Sequence, residues 1–180
     1  IVLLKNDGVL PLAEPARIAV IGGYAQFGVV TGTGSSAVIP PGGYAAEVPL
    51  GGPGVMGAMR KLFVLPSSPV DELARLVPGA EIDFDPGMSP AEAATLAARA
   101  DVAIVFGIRI EGEGFDLPDL ALPWGQDAVI AAVAAANPNT VVVLENGSPV
   151  AMPWHDNVRV IVEAWYPGQD GGQAIAEVLT

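Results

Sequence analysis

Two stretches of this chain, Val102-Ala103-Ile104-Val105-Phe106 and Val141-Val142-Val143-Leu144, are apolar at every position, without the alternation of a half-exposed strand. Successive side chains of a β-strand point to opposite faces, so an unbroken apolar run is satisfied only where both faces are covered. That requirement points to a parallel sheet between layers of helix. Three further β-branched runs, at 17–21, 81–84 and 158–164, join 102–108 and 140–144 to give five expected strands.

The segments between them read as helices. Ser89-Pro90-Ala91-Glu92 combines a capping box with proline at the first helical position and predicts a helix over 90–100. Ser68-Pro69 opens another in the same way, running to about residue 77 before Pro78-Gly79. Residues 126–136 are alanine-rich with apolar residues at helical spacing, and Asn137-Pro138 stops them. A last helix begins at Gly172. The alternation predicts a layered α/β/α sandwich with a mostly parallel sheet of five to six strands. Two regions break it. Residues 22–54 are rich in Gly and Pro and too long for an ordinary connection, so a functional or interface loop is expected there. Residues 111–123 form a second loop directly after the most apolar run. No repeat or linker divides the chain, which predicts a single domain over 1–180. The start at Ile1-Val2-Leu3-Leu4 without Met, and the stop at Thr180 inside a helical pattern, read as cuts in a longer chain.

Composition removes several classes of function. Net charge is −12 and the eight basic residues are scattered singly, which argues against nucleic acid or an anionic membrane surface as partner. There is no cysteine and one histidine, so thiolate and multi-histidine metal sites are excluded within the chain. No stretch approaches the roughly 20 apolar residues of a membrane helix.

In open parallel sheets, ligands bind beyond the carboxyl ends of the strands. There the run 102–108 passes into Arg109-Ile110-Glu111-Gly112-Glu113-Gly114-Phe115-Asp116, which places two glutamates and an aspartate among glycines. A carboxyl in this loop can serve as a general acid if partial burial raises its pKa. The other reading is a solvated acidic turn in an acidic chain. Gly32-Thr33-Gly34-Ser35-Ser36-Ala37 fits a dinucleotide-binding pattern on paper, but it stands ten residues past its strand and leads into Val38-Ile39-Pro40-Pro41 rather than a helix. It reads as a glycine loop facing another surface. His155, beside Asp156, reads as a solvated loop histidine with no nucleophile motif near it. Asn146-Gly147-Ser148 is a strand-end loop that also spells a glycosylation sequon. Trp165-Tyr166-Pro167-Gly168-Gln169 can stack on a sugar or plug an interface, and the interface is the favoured reading.

The stretches taken together resemble the C-terminal domain of glycoside hydrolase family 3, the β-glucosidase family. The resemblance rests on Val2-Leu3-Leu4-Lys5-Asn6-Asp7-Gly8-Val9-Leu10-Pro11-Leu12, Arg17-Ile18-Ala19-Val20-Ile21-Gly22, Gly34-Ser35-Ser36-Ala37-Val38 and Ala100-Asp101-Val102-Ala103-Ile104-Val105. It continues through Glu113-Gly114-Phe115-Asp116, Leu122-Pro123, Gln126-Asp127, Ala135-Ala136-Asn137-Pro138-Asn139-Thr140-Val141-Val142-Val143, Met152-Pro153-Trp154 and Ala164-Trp165-Tyr166-Pro167-Gly168-Gln169. These pieces follow family order over nearly the whole chain.

The resemblance implies a six-stranded sandwich packed against an N-terminal (β/α) barrel, with the sixth strand lying past Thr180. It implies retaining hydrolysis of β-linked glucosides or oligosaccharides from the non-reducing end, with no cofactor or metal. The nucleophile would be an aspartate on the barrel, and the acid/base a glutamate on a loop of this domain. In the family that glutamate heads Glu-Gly-Phe/Tyr-Asp-Arg, which puts Glu113 in the role, Glu111 as runner-up, and Phe115 and Asp116 as substrate contacts. Leu117 stands where the family pattern has Arg, and residues 51–65 fit the pattern poorly. The alternatives are a non-catalytic carbohydrate-binding or interaction domain on a flavodoxin-like scaffold, which leaves the ordered motifs unexplained, and a degenerate family member.

Overall fold

A computed structural model describes residues 1–55 and 57–180. In chain order the elements begin with β1 (Val2–Asn6), β2 (Arg17–Gly22), β3 (Val29–Thr31), β4 (Ala46–Pro49), α1 (Gly54–Met59) and β5 (Lys61–Leu65). They continue with α2 (Pro69–Leu76), β6 (Glu81–Asp85), α3 (Pro90–Ala97), β7 (Val102–Ile108), α4 (Gln126–Ala136), β8 (Thr140–Glu145), β9 (Val160–Glu163) and α5 (Gly171–Leu179).

The main sheet has six strands in the order β1-β9-β8-β7-β2-β6. All neighbours from β9 to β6 are parallel, and β1 runs antiparallel along β9. The five expected strands are all present. A sixth strand, β1 at the start of the chain, also joins the sheet, beyond the five expected from the sequence. Val2, Leu3 and Leu4 are each about half exposed on this edge strand, so the segment lacks the fully buried signature that marks the inner strands. Asn6 ends it, its Oδ1 accepting the backbone N–H groups of Gly8, Val9 and Leu10.

The two-faced burial read from β7 and β8 is realised residue by residue. Ile18, Val20, Ile104, Val141, Val143, Val160 and Val162 face a layer holding Leu73 of α2 and Ile175 and Leu179 of α5. Their neighbours Ala19, Ile21, Ala103, Val105, Val142, Leu144 and Ile161 face Ala93 and Ala97 of α3, Ile130 and Val133 of α4, and Trp154. α2 and α3 are eight residues each, well short of the about 12–15 that hold a helix alone in water. Packing therefore sustains them, at about 1.5–3 kcal/mol for each large apolar side chain fully buried. Their entries are fixed as the sequence predicts: Ser68 Oγ accepts the Asp71 N–H at 3.1 Å and Ser89 Oγ the Glu92 N–H at 3.4 Å. Asn137 closes α4 and also α3, since its Nδ2 donates to the carbonyls of Ala97 and Ala100, both at 2.8 Å. α3 consequently stops at Ala97 rather than at residue 100.

Residues 22–54 are not one long loop. They contain β3 and β4, which flank β5 in a three-stranded antiparallel sheet of order β3-β5-β4. Its strands are three to five residues long and set among glycines and prolines, so periodicity does not expose them. Val30, Leu62 and Val64 bury against Ile108 at the carboxyl end of β7. The small sheet thereby sits over the carboxyl edge of the large one, where the acidic loop emerges. Among the described residues no helix is long and apolar enough to cross a membrane.

Candidate active site

The loop after β7 is tied down at its base and free at its tip. Arg109 is buried; its N–H donates to the Glu145 carbonyl at 3.1 Å and its guanidinium to the Asp119 carbonyl. The Tyr166 hydroxyl donates to the Arg109 carbonyl at 2.7 Å and accepts the Glu111 N–H at 3.1 Å. The Glu111 side chain is only 16% exposed, with Arg109 Nε 4.0 Å away, and its Oε1 accepts from Ser148 Oγ at 2.7 Å. The Thr33 N–H donates to the Glu111 carbonyl at 2.9 Å, and Thr33 bridges to Gly112. A Cβ on Gly112 would overlap Thr33 Oγ1, so glycine is what permits this close approach.

Glu113 stands one residue beyond that anchor, in a turn closed by Phe115 N–H to the Gly112 carbonyl at 3.2 Å. It is exposed, and its Oε2 accepts from Ser35 Oγ at 2.8 Å. The Gly32–Ala37 stretch thus lies against the acidic loop, the short 3-10 turn Gly34–Ser36 presenting Ser35. Phe115 is half-buried under the Arg60 guanidinium, 5.5 Å from the ring centroid. Asp116 and Leu117 are exposed. His155 precedes β9 and so lies at the amino edge, opposite this loop; it is exposed and paired with Asp156 at 2.8 Å. A cavity of about 470 Å³ opens beside Gly22, Tyr24, Phe27 and Trp124 and is lined by no carboxylate among the described residues. The carboxylates of the loop lie outside that cavity.

Two carboxyls that sequence reasoning passed over sit just beneath. Glu145 ends β8, wholly buried, with Oε2 accepting the Val30 N–H at 2.6 Å. Burial pushes its pKa up to about 8 against the pull of that N–H, with Glu163 adding to the rise. Glu163 ends β9 and is pushed up to about 7 by burial, against the Trp165 N–H it accepts and with Glu111 adding to the rise. Burial and the neighbouring Glu111 also raise the Tyr166 phenol. The signal was available: each glutamate terminates an apolar run at the sheet edge where polar groups have to be handled.

Both carboxyls have folded values above the ordinary 4.5. Their stabilising effect is therefore complete below pH 4.5 and is lost as pH rises through 7 for Glu163 and 8 for Glu145. Glu145→Gln keeps the neutral shape and an acceptor for Val30. It should make the decline in stability shallower by up to roughly 1 kcal/mol per pH unit between about pH 5 and 8. Urea midpoints across that range measure it; a slope equal to that of the unaltered chain would mean Glu145 ionises in the fold as readily as in the unfolded chain.

Residues 1–180 match the family described as the glycosyl hydrolase family 3 C-terminal domain. The chain belongs to that family. Among family 3 relatives, thermostable β-glucosidase B of Acetivibrio thermocellus is 38% identical over 99% of this chain and 22% of its own length. An exo-α-(1→6)-L-arabinopyranosidase of Bifidobacterium longum is 38% identical over 99% of the chain and 24% of its own length. The β-glucosidase of Streptomyces venezuelae, solved with D-glucose, superposes with TM-score 0.80 at 25% identity, covering 99% of this chain and 35% of that one. The family 3 β-glucosidase of Bifidobacterium adolescentis gives TM-score 0.74 at 37% identity, with 99% and 25% coverage. The chain spans 22–24% of the length of the two curated relatives that it matches from end to end above. Glycoside hydrolysis is thus the activity of full-length family 3 relatives, and this chain has the fold of their C-terminal domain.

Proposed function

We propose that this chain is the acid/base-bearing domain of a retaining, exo-acting β-glucosidase, with Glu113 as the proton donor. The observation that carries the reading is the contrast between the two glutamates of the loop. Glu111 is anchored through side chain and backbone, whereas Glu113 projects from the tip with a single serine hydroxyl on its carboxyl. A residue that must reach a bound sugar needs the second arrangement.

A retaining glycosidase uses two carboxyl groups about 5–5.5 Å apart, one attacking the anomeric carbon and one protonating the departing oxygen. In this reading Glu113 is the second. It gives its proton to the leaving-group oxygen, then takes one from the water that releases the sugar. The nucleophilic aspartate comes from a barrel domain outside the 180 residues, across a cleft that Phe115 and Asp116 border as substrate contacts. A β-linked glucoside is the proposed substrate, since β-glucosidase is the activity in the names of most of the relatives and solved structures above.

The reading predicts that residues 1–180 alone do not turn over an aryl β-glucoside, and that activity appears when the barrel-bearing polypeptide is present. Release of nitrophenol by the purified domain alone would contradict a nucleophile supplied from elsewhere.

A further inference from the structure

The reach that suits Glu113 to its role creates a mechanical difficulty. It is flanked by Gly112 and Gly114, the latter at φ 78°, and a glycine-flanked loop has little rigidity of its own. Acid catalysis is intolerant of that, because displacements near 1 Å can cost about 100-fold in rate. Something has to stiffen the segment just before the acid.

Thr33 holds Glu111 and Gly112 from one side, but on the side of β8 the strand ladder does not do it. β7 pairs with β8 as far as Ile108 opposite Glu145, and the last main-chain bond on that side is Arg109 N–H to the Glu145 carbonyl. Past that point the Tyr166 hydroxyl stands in for a strand partner. It donates to the Arg109 carbonyl at 2.7 Å and accepts the Glu111 N–H at 3.1 Å, closing a ring across Ile110. Tyr166 comes from beyond β9, two strands away in the sheet order, so its ring must cross the end of β8.

Three independent features accommodate that crossing. Trp165 takes a left-handed backbone, φ 58°, with its N–H held by Glu163 Oε1 at 2.9 Å, which turns the chain toward the loop. A Cβ on Gly147 would stand 3.0 Å from Tyr166 Cε2 and 2.8 Å from Glu111 Oε2. A Cβ on Gly32 would stand 3.2 Å from the same ring carbon. The ring occupies a slot that glycines on two sides keep open.

We infer that Tyr166 is a positioning residue for the general acid: its hydroxyl, by bridging Arg109 and Glu111, fixes the base of the loop that carries Glu113. This rests on the proposed role of Glu113. Burial and the neighbouring Glu111 raise its pKa, which favours the protonated phenol that donates to Arg109.

The test is Tyr166→Phe in the intact enzyme, which removes the hydroxyl and keeps the ring. On an alkyl β-glucoside, whose leaving group needs protonation, kcat should fall about tenfold with KM unchanged. On a dinitrophenyl β-glucoside, whose leaving group does not, kcat/KM, which reports the first step alone, should stay within about twofold. Gly147→Ala, which presses on both the ring and the Glu111 carboxyl, should give the same selective pattern. Equal slowing on both substrates, or rates like those of the unaltered enzyme, in an enzyme whose Glu113→Gln form does discriminate between them overturns the role of Tyr166 alone. A Glu113→Gln enzyme that does not discriminate removes the acid assignment, and this inference with it.

Discussion

Glu113→Gln in the intact enzyme should lower kcat on alkyl β-glucosides by about 100- to 10,000-fold, the range over which a positioned general acid acts. Glutamine keeps the size of the side chain and an acceptor for the Ser35 hydroxyl, so the loop loses a proton rather than a contact. Substrates with a dinitrophenolate leaving group should be spared in the first step, and their glycosyl-enzyme should accumulate because water is no longer activated. Glu111→Gln supplies the contrast. It retains an acceptor for Ser148 and both backbone bonds to Tyr166 and Thr33, and should change rates less than about tenfold with no preference among leaving groups. If the selectivity followed Glu111 instead, the assignment of the acid would be reversed.

Gly28→Ala should be the most damaging small substitution for stability. Gly28 lies at φ 155°, and a Cβ there would overlap the Leu65 carbonyl oxygen and stand 2.9 Å from its carbon and 3.2 Å from the Ser67 nitrogen. These are backbone atoms and cannot rotate aside. Relief requires β3 to leave β5, where Val29 pairs with Leu65. That in turn withdraws the Val30 N–H from Glu145 and Thr33 from the acidic loop. A loss of about 4 kcal/mol is expected, at the severe end for single replacements, together with a fall in activity. Chemical unfolding of the domain measures the first; a loss under about 1 kcal/mol would show that β3 can shift without cost.

Most of the large sheet was legible because double-sided burial leaves an unambiguous mark. β7 and β8 have no polar position between their first and last residues, and the serine–proline entries to α2 and α3 name their own caps. The edge strand β1 was not legible as a strand: with one neighbour and its apolar residues half exposed, it carries neither the continuous nor the alternating signature. The small sheet failed for another reason. β3 has three residues, and its pairing with β5 spans more than thirty positions, a relation that no local window contains. At the site, motif order singled out Glu113, while Glu145, Glu163 and Tyr166 owe their character to burial and to partners distant in sequence. Trp165-Tyr166 shows the limit well: one residue of the pair is exposed and its neighbour turns inward, and only the left-handed backbone at Trp165 separates them.

The order β3-β5-β4 has a consequence for how the region can diversify. β3 leads directly into Thr33, which holds Glu111 and Gly112 just ahead of Glu113, while β4 pairs on the other side of β5. Changes at the turn between β4 and β5 would leave the Thr33 bonds in place and act on the loop through Arg60, stacked over Phe115, and through Leu50, which packs in the same apolar cluster as Ile110. The surface beside the loop can therefore vary while Glu113 keeps the placement that the proposed role requires of it.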